Sequence, residues 1–171
     1  MNAFYSDRPK IRFSMTAREW AMQAVSIVCL LAAVVMTAVA YPGLPQVIPT
    51  HMDFYGNING WGGKGLLFLL PLMAMTLYAL ITVVQRFPHV YNYPVAVTQK
   101  NAESLYRLAR LMLDCIKMIL SGMFLFLQWI VISTARQGAR SSNSAFLLVF
   151  IALLLGVAAY FIYKMFRVSR I

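Results

Sequence analysis

The sequence has few charged residues and very few acidic ones. Only 12% of its 171 residues are charged and five are acidic, whereas ordinary soluble domains are about 25% charged. Hydrophobic residues make up 61% of the chain, and its mean hydropathy is +0.70. So little charge excludes an ordinary soluble globular domain and indicates an integral membrane protein.

Catalytic and metal-binding motifs are also missing. The chain has no Gly-x-Ser-x-Gly motif, no His-Glu-x-x-His motif, no glycine-rich phosphate loop and only two histidines. Its two cysteines, Cys29 and Cys115, fall inside apolar runs, so we expect small buried residues rather than a disulfide framework. We therefore predict a protein that is not an enzyme and that uses no cofactor.

Four apolar runs are long enough to cross a bilayer as helices, which takes about 20 residues each. They cover roughly residues 20–40, 65–85, 111–133 and 145–164. None shows the alternation of polar and apolar residues that is typical of a membrane β-barrel strand. The sequence therefore predicts an all-α membrane protein, with residues 1–171 forming one domain of four transmembrane helices.

The basic residues are unevenly distributed among the predicted connections. Eleven of the fifteen lysines and arginines precede the first run, lie between the second and third, or follow the fourth; three lie in the other two connections and Lys117 lies in the third run. Because basic residues concentrate in cytoplasmic loops, both termini are predicted to be cytoplasmic. This placement explains the net charge of +10, and we expect lipid rather than nucleic acid as the partner.

The connection between the first two runs, residues 41–64, is unlike a polar loop. Its three prolines prevent a continuous helix and its five glycines permit turns. It is also rich in large apolar and aromatic residues, so we predict a structured extracytoplasmic segment, called the hook below. The hook carries the candidate ligand-binding residues His51, Asp53, Asn57, Asn59, Trp61 and Lys64.

His51 and Asp53 are two positions apart, which would place both side chains on one face of an extended strand. With Asn57 and Asn59 they could bind a divalent cation or a polar group of a ligand. The alternative is a hydrogen-bond network that stabilises the hook. One histidine and one carboxylate are too few for a structural zinc site, so we predict no metal.

Polar residues form one stripe on the first predicted helix and another on the third. The first stripe consists of Glu19, Gln23, Ser26 and Thr37. The second consists of Glu103, Arg107, Arg110, Asp114, Lys117, Ser121 and Gln128. The residues of each stripe fall within about 60–80° on a helical wheel. A charge at the centre of a bilayer costs about 2.5–3.5 kcal/mol on insertion scales, so the stripes are expected to avoid lipid.

Facing stripes would satisfy this requirement if the first and third helices packed side by side. The predicted pairs are Glu19 with Arg110, Gln23 with Asp114 and Cys115, Ser26 with Lys117, and Thr37 with Gln128. The Asp114–Lys117 pair has two interpretations: a functional ionisable pair within the membrane, or a structural pair near the cytoplasmic edge with Lys117 reaching towards water.

Two stretches of the chain carry a resemblance to a known family. The first comprises Leu44, Pro45, Ile48, Pro49, Thr50, His51, Asp53, Gly56, Asn59, Trp61, Gly62 and Lys64. The second comprises Tyr91 to Val95, Asn101, Ala102 and Tyr106 to Arg110. Together they resemble a bacterial membrane domain of unknown function that is found in SdpI-like toxin-immunity proteins. The chain lacks the glycine- and arginine-containing signature of the second half of the immunity proteins.

The resemblance implies a noncatalytic recognition or regulatory protein of the bacterial inner membrane, with several membrane spans. Its hook would sense a small peptide or a partner membrane protein. One alternative is a transporter of a small solute or protons that uses the two polar stripes. A less favoured alternative is a membrane enzyme that uses His51. The sequence does not predict an oligomeric state.

Overall fold

The computed structural model describes residues 8–53, 55–137 and 145–168, and most of these residues are helical. The helices are α1 (Ala17–Ala40), α2 (Leu69–Val84), α3 (Ala102–Gln137) and α4 (Ala145–Val168). Short 3₁₀ turns lie at Tyr41–Gly43, Lys64–Phe68 and Pro88–Val90. Strands β1 (Val47–Met52) and β2 (Ile58–Gly63) lie between α1 and α2.

Within the described ranges, four helical segments are long and apolar enough to cross a membrane. They are Ala17–Gly43, Lys64–Val84, Ala102–Gln137 and Phe146–Val168. The prediction of four helices that are long and apolar enough to span a membrane is therefore confirmed. α3 begins nine residues before its predicted apolar run, because residues 102–110 are good helix formers and continue the same periodicity.

The hook departs from the all-α prediction, because β1 and β2 form an antiparallel hairpin in which Ile48 pairs with Gly62. The register shifts on both sides of His51. Asp53 N–H donates to the Asn57 carbonyl at 2.9 Å, and Gly56 turns the chain with φ of 86°. Prolines and glycines prevent helix here, while their presence within both strands obscures the alternation by which a strand is recognised.

α3 is the central helix and packs against α1, α2 and α4. The described apolar core consists of three clusters of buried residues along the bundle. The hook end has Ala40, Leu44, Ile48, Leu67, Ile132 and Ala135. The middle has Leu30, Ala74 and Phe124, called the apolar layer below. The other end has Ala102, Leu105, Tyr106, Ala109 and Met165.

The segment before α1 packs against the loop between α2 and α3. Arg8 Nη1 donates to the carbonyl oxygens of Tyr91 at 2.7 Å and His89 at 3.2 Å. α1 then begins with a capping box in which Thr16 Oγ1 accepts from Glu19 N–H and Glu19 Oε2 accepts from Thr16 N–H. These contacts bring the basic segment to the end of the bundle that lies away from the hook.

Candidate functional site

The polar stripes of α1 and α3 face one another. Gln23 Nε2 donates to Asp114 Oδ1 at 2.7 Å. Further along, Gln128 Nε2 donates to Thr37 Oγ1 at 2.7 Å. At the start of α1, the Glu19 carboxylate lies 3.6 Å from the Arg110 guanidinium. The predicted pairing is therefore confirmed at these three positions.

Ser26 and Lys117 do not form the predicted pair. Ser26 is buried, but its hydroxyl donates to the carbonyl of Met22 in the preceding turn of α1 at 2.9 Å. This is the usual local bond of a serine within a helix, and it satisfies the hydroxyl without a partner on another helix. Lys117 is instead bonded by α2.

α2 supplies three polar side chains that sequence reasoning did not assign to the site: Tyr78, Thr82 and Gln85. Lys117 Nζ donates to Gln85 Oε1 at 2.6 Å and to Thr82 Oγ1 at 3.3 Å. The Tyr78 hydroxyl donates to Gln23 Oε1 at 2.5 Å. Tyr78 and Thr82 are four positions apart and Thr82 and Gln85 are three positions apart, so the three residues share one helix face. This spacing is the feature of the sequence that could have indicated their shared role.

These side chains form one group, called the polar cluster below. It consists of Gln23, Tyr78, Thr82, Gln85, Asp114 and Lys117. Asp114 and Lys117, with side chains 2% and 1% exposed, form a salt bridge of 3.3 Å. Gln85 Nε2 also donates to Asp114 Oδ1 at 2.9 Å. Two buried charges are tolerated only when both are paired and hydrogen-bonded, and the neighbouring amides provide these bonds.

A cavity of about 430 Å³ leads to the polar cluster from the end of the bundle away from the hook; we call it the basal cavity. Its lining comprises Ile11, Arg12, Phe13, Met15, Gln23, Thr82, Gln85, Arg86, Pro88, Arg110 and Asp114. Arginines therefore surround a space that reaches the buried carboxylate. This volume is within the range of about 300–1,000 Å³ that is usual for small-molecule sites.

Beyond the polar cluster, the polar stripes are interrupted. Ser121 is buried on α3, and the apolar layer of Leu30, Ala74 and Phe124 follows on the three helices. Gln128 lies on the far side of this layer and donates to the Leu67 carbonyl at 3.1 Å as well as to Thr37. Gln128 thus ties α3 to the base of the hook rather than extending the basal cavity.

In the hook, the four predicted polar residues form two separate pairs. His51 Nδ1 bonds to Asn59 Oδ1 across the hairpin. Asp53 Oδ1 accepts from Asn57 N–H at 2.8 Å, and Asp53 Oδ2 accepts from Asn57 Nδ2 at 3.0 Å. The side-chain bond from Asn57, followed by its backbone bond, holds the pKa of Asp53 below its ordinary value. These bonds favour the hook-stabilising interpretation.

The two-residue spacing of His51 and Asp53 is not enough to place their side chains on one face of a strand. β1 ends at Met52 and is irregular on both sides of His51, so strict alternation does not extend to Asp53. Among the described residues, no group of three or more His, Cys, Asp or Glu side chains could hold a metal ion.

The remaining hook candidates, Trp61 and Lys64, differ in their environments. Lys64 Nζ lies 4.7 Å from the centroid of the Tyr41 ring, a cation–π contact at the base of the hook. Trp61 is 56% exposed, and Tyr55 in the turn of the hairpin is 78% exposed. The hook therefore presents two large aromatic side chains on its surface.

One family model matches a segment of the chain. Residues 27–75 match the family model described as a domain of unknown function, DUF1648. The matched segment begins within α1, includes the whole hook and ends within α2. No curated protein and no solved structure matches the chain significantly. The hook thus lies at the centre of the matched segment.

Proposed function

We propose that the chain is a noncatalytic recognition or regulatory protein of the SdpI-like immunity type, in the bacterial inner membrane. In this proposal the hook binds a peptide or a partner membrane protein on the extracytoplasmic side. The observation that carries the proposal is a hook that is internally bonded and anchored to the bundle, but that leaves Trp61 and Tyr55 exposed.

The anchoring of the hook favours a binding role because a preorganised surface loses little entropy on association. Ile48 of β1 is 1% exposed and packs with Leu67 and with Ile132 of α3. Gln128 of α3 donates a hydrogen bond to the Leu67 carbonyl, which also ties the base of the hook to α3. The His51–Asn59 and Asp53–Asn57 pairs then order the hairpin itself.

The exposed residues favour a protein or peptide partner. Tryptophan and tyrosine are enriched among the residues that dominate binding energy at protein interfaces. They are also common at the membrane surface, which suits a partner that arrives along the bilayer. An enzyme using His51 has less support, because the ring nitrogen Nδ1 is held by the Asn59 amide rather than by a carboxylate.

A second candidate function is transport of a small solute or of protons, and the basal cavity favours it. The cavity reaches the buried Asp114, and buried ionisable residues within a membrane are typical of ion and proton pathways. The apolar layer separates this cavity from Gln128 and the hook, so transport would require α1, α2 and α3 to rearrange. Recognition requires no such change, and we rank it first.

Site-specific cross-linking in intact cells tests the recognition proposal. A photoreactive amino acid at Tyr55 should give a discrete protein or peptide adduct, identified by mass spectrometry. Trp61→Ala should abolish that adduct at unchanged protein level. Trp20→Ala is the matched control, because Trp20 is 62% exposed but lies at the other end of α1, and it should leave the adduct intact.

An adduct that is absent, or equally strong in both tryptophan variants, would contradict recognition by the hook. Transport is tested separately with the wild-type chain in proteoliposomes. A flux of protons or solute that is lost in the double variant Asp114→Leu/Lys117→Met, with the melting temperature retained, would support the second candidate instead.

A further inference from the structure

The arginines that line the basal cavity carry positive charge that the described residues neutralise only in part. Arg110 at its wall is paired with Glu19 at 3.6 Å. Arg12 and Arg86 also line the cavity and are exposed, and their guanidinium groups form no hydrogen bond or ion pair with a residue in the described ranges. The mouth therefore has two guanidinium groups without a partner in the described ranges, and guanidinium groups bind phosphate and carboxylate oxygens well.

The inner end of the cavity has a carboxylate oxygen that is available to a ligand. The three side-chain contacts of the Asp114 carboxylate, from Gln23, Gln85 and Lys117, all involve Oδ1. Oδ2 accepts from no side chain in the part of the chain that the structure describes, although Asp114 is 2% exposed and lines the cavity. A carboxylate oxygen accepts hydrogen bonds, so Oδ2 can accept one from a donor group of a ligand in the cavity.

The charges indicate which donor fits. Asp114 is already neutralised by Lys117 at 3.3 Å, so an ammonium group at Oδ2 would be repelled by Lys117 at close range. A hydroxyl group supplies a donor without added charge. With Arg12 and Arg86 at the mouth, the site favours a small anionic ligand that carries both a negatively charged group and a hydroxyl group.

We propose that the basal cavity binds a phosphate ester that carries a free hydroxyl, such as a phosphoglycerol group. The phosphate would lie between Arg12 and Arg86, and the hydroxyl would donate to Asp114 Oδ2. The same chemistry occurs in the headgroup of phosphatidylglycerol and in free glycerol phosphate. Basic pockets between transmembrane helices are known sites for anionic lipid headgroups. The proposal is independent of what the hook binds.

The test measures binding to the purified full-length chain in nanodiscs of neutral phosphatidylcholine. The two probes are short-chain phosphatidylglycerol and phosphatidylmethanol, which have the same charge but differ in the headgroup hydroxyls. We expect phosphatidylglycerol to bind about tenfold more tightly than phosphatidylmethanol, because a hydrogen bond from its hydroxyl to the charged Asp114 carboxylate would strengthen binding by about this factor. Comparing probes tests the Asp114 contact without substituting Asp114, which also holds Lys117.

Arginine variants test the mouth of the cavity. Arg12→Gln and Arg86→Gln should each weaken phosphatidylglycerol binding about tenfold. Lys10→Gln is the matched control, since Lys10 lies two residues from Arg12 and is exposed but does not line the cavity; it should bind as the wild type does. Circular dichroism and melting curves confirm that the variants are folded.

Free glycerol phosphate distinguishes the two sources of the ligand. If it displaces phosphatidylglycerol at a similar concentration, a soluble phosphate ester occupies the cavity; if it does not, the ligand is the lipid. Either result supports the shared chemistry. Equal binding of phosphatidylglycerol and phosphatidylmethanol would overturn the proposal, and so would equal binding to Arg86→Gln and Lys10→Gln.

Discussion

At the scale of single residues, the membrane bundle depends on how Asp114 and Lys117 are paired. Both are almost fully buried, and Gln23, Gln85 and Thr82 form hydrogen bonds with them. Removing one member of a buried ion pair leaves an uncompensated charge, whereas replacing both by apolar residues of similar volume is often neutral or stabilising. The pair can therefore be tested by comparing single and double replacements.

Asp114→Leu should destabilise the bundle by about 3–5 kcal/mol, because it leaves Lys117 buried without its carboxylate. Asp114→Ala should destabilise it more, since it also leaves a cavity. The double variant Asp114→Leu/Lys117→Met should recover most of the lost stability. Thermal unfolding in detergent measures all three, and a double variant no more stable than Asp114→Leu would contradict a purely structural pair.

The pKa of Asp53 depends on its hydrogen bonds with Asn57, so titration of Asp53 measures whether the turn of the hairpin is formed. Asn57 lowers the pKa of Asp53 below the ordinary value of 3.8. A depressed carboxyl pKa contributes stability above the unfolded pKa, and this is lost as pH falls through the folded pKa. The contribution of Asp53 to the stability of the hook should therefore be constant from pH 7 to pH 5 and be lost only as the pH falls below 3.8.

Asn57→Ala should raise the pKa of Asp53 towards its ordinary value, because it removes the side-chain bond that has the largest lowering effect. A carbon-13 NMR titration of the Asp53 carboxyl group gives this value directly. An unchanged titration in the variant would show that the Asn57 side chain does not stabilise the charged form.

At the scale of elements, the hairpin requires its strands to approach closely at Gly60. A Cβ atom added there would lie 2.8 Å from His51 Cβ, which is fixed to the β1 backbone. Gly63, also in β2, has open space around the corresponding position and an ordinary φ of −62°. The two glycines therefore form a matched pair for substitution.

Gly60→Ala should separate the strands and destabilise the hook by about 1–3 kcal/mol, the usual cost of overpacking. Gly63→Ala should have little effect. Hydrogen exchange of the β1 and β2 amides measures the difference. Equal protection in the two variants would show that the hairpin does not depend on this close approach.

The helices and their facing stripes could be predicted because they rest on length and periodicity. Apolar runs of about 20 residues must span as helices, and polar residues such as Asp114 and Gln128 recur on one helix face. The hairpin could not be read from sequence in this way. Its six-residue strands contain Pro49, Gly60 and Gly62, which hide the two-residue alternation of a strand.

The contribution of α2 to the polar cluster was missed for a different reason. Tyr78 resembles the aromatic residues of a membrane interface, and Thr82 and Gln85 lie near the end of an apolar run. Their role depends on the approach of α2 to Lys117, which is a tertiary property. The basal cavity likewise forms only because the segment before α1 packs against the α2–α3 loop.

At the scale of the whole molecule, the two ends of the bundle have different tasks in our proposals. The hook and the cluster around Ile48 and Leu67 form the recognition end. The polar cluster and the basal cavity form the other end, and the apolar layer lies between them. The charge distribution predicts that the hook end is extracytoplasmic, and recognition of an external peptide requires this orientation.

Labelling of single cysteines in intact cells tests this orientation most directly. With Cys29 and Cys115 replaced by alanine, Asn57→Cys in the hook should react with a membrane-impermeant maleimide, since its position is in the exposed turn of the hairpin. Gln99→Cys, in the loop between α2 and α3, should react only after the cells are permeabilised. Labelling at position 99 but not at position 57 in intact cells would place the hook in the cytoplasm and contradict its proposed role.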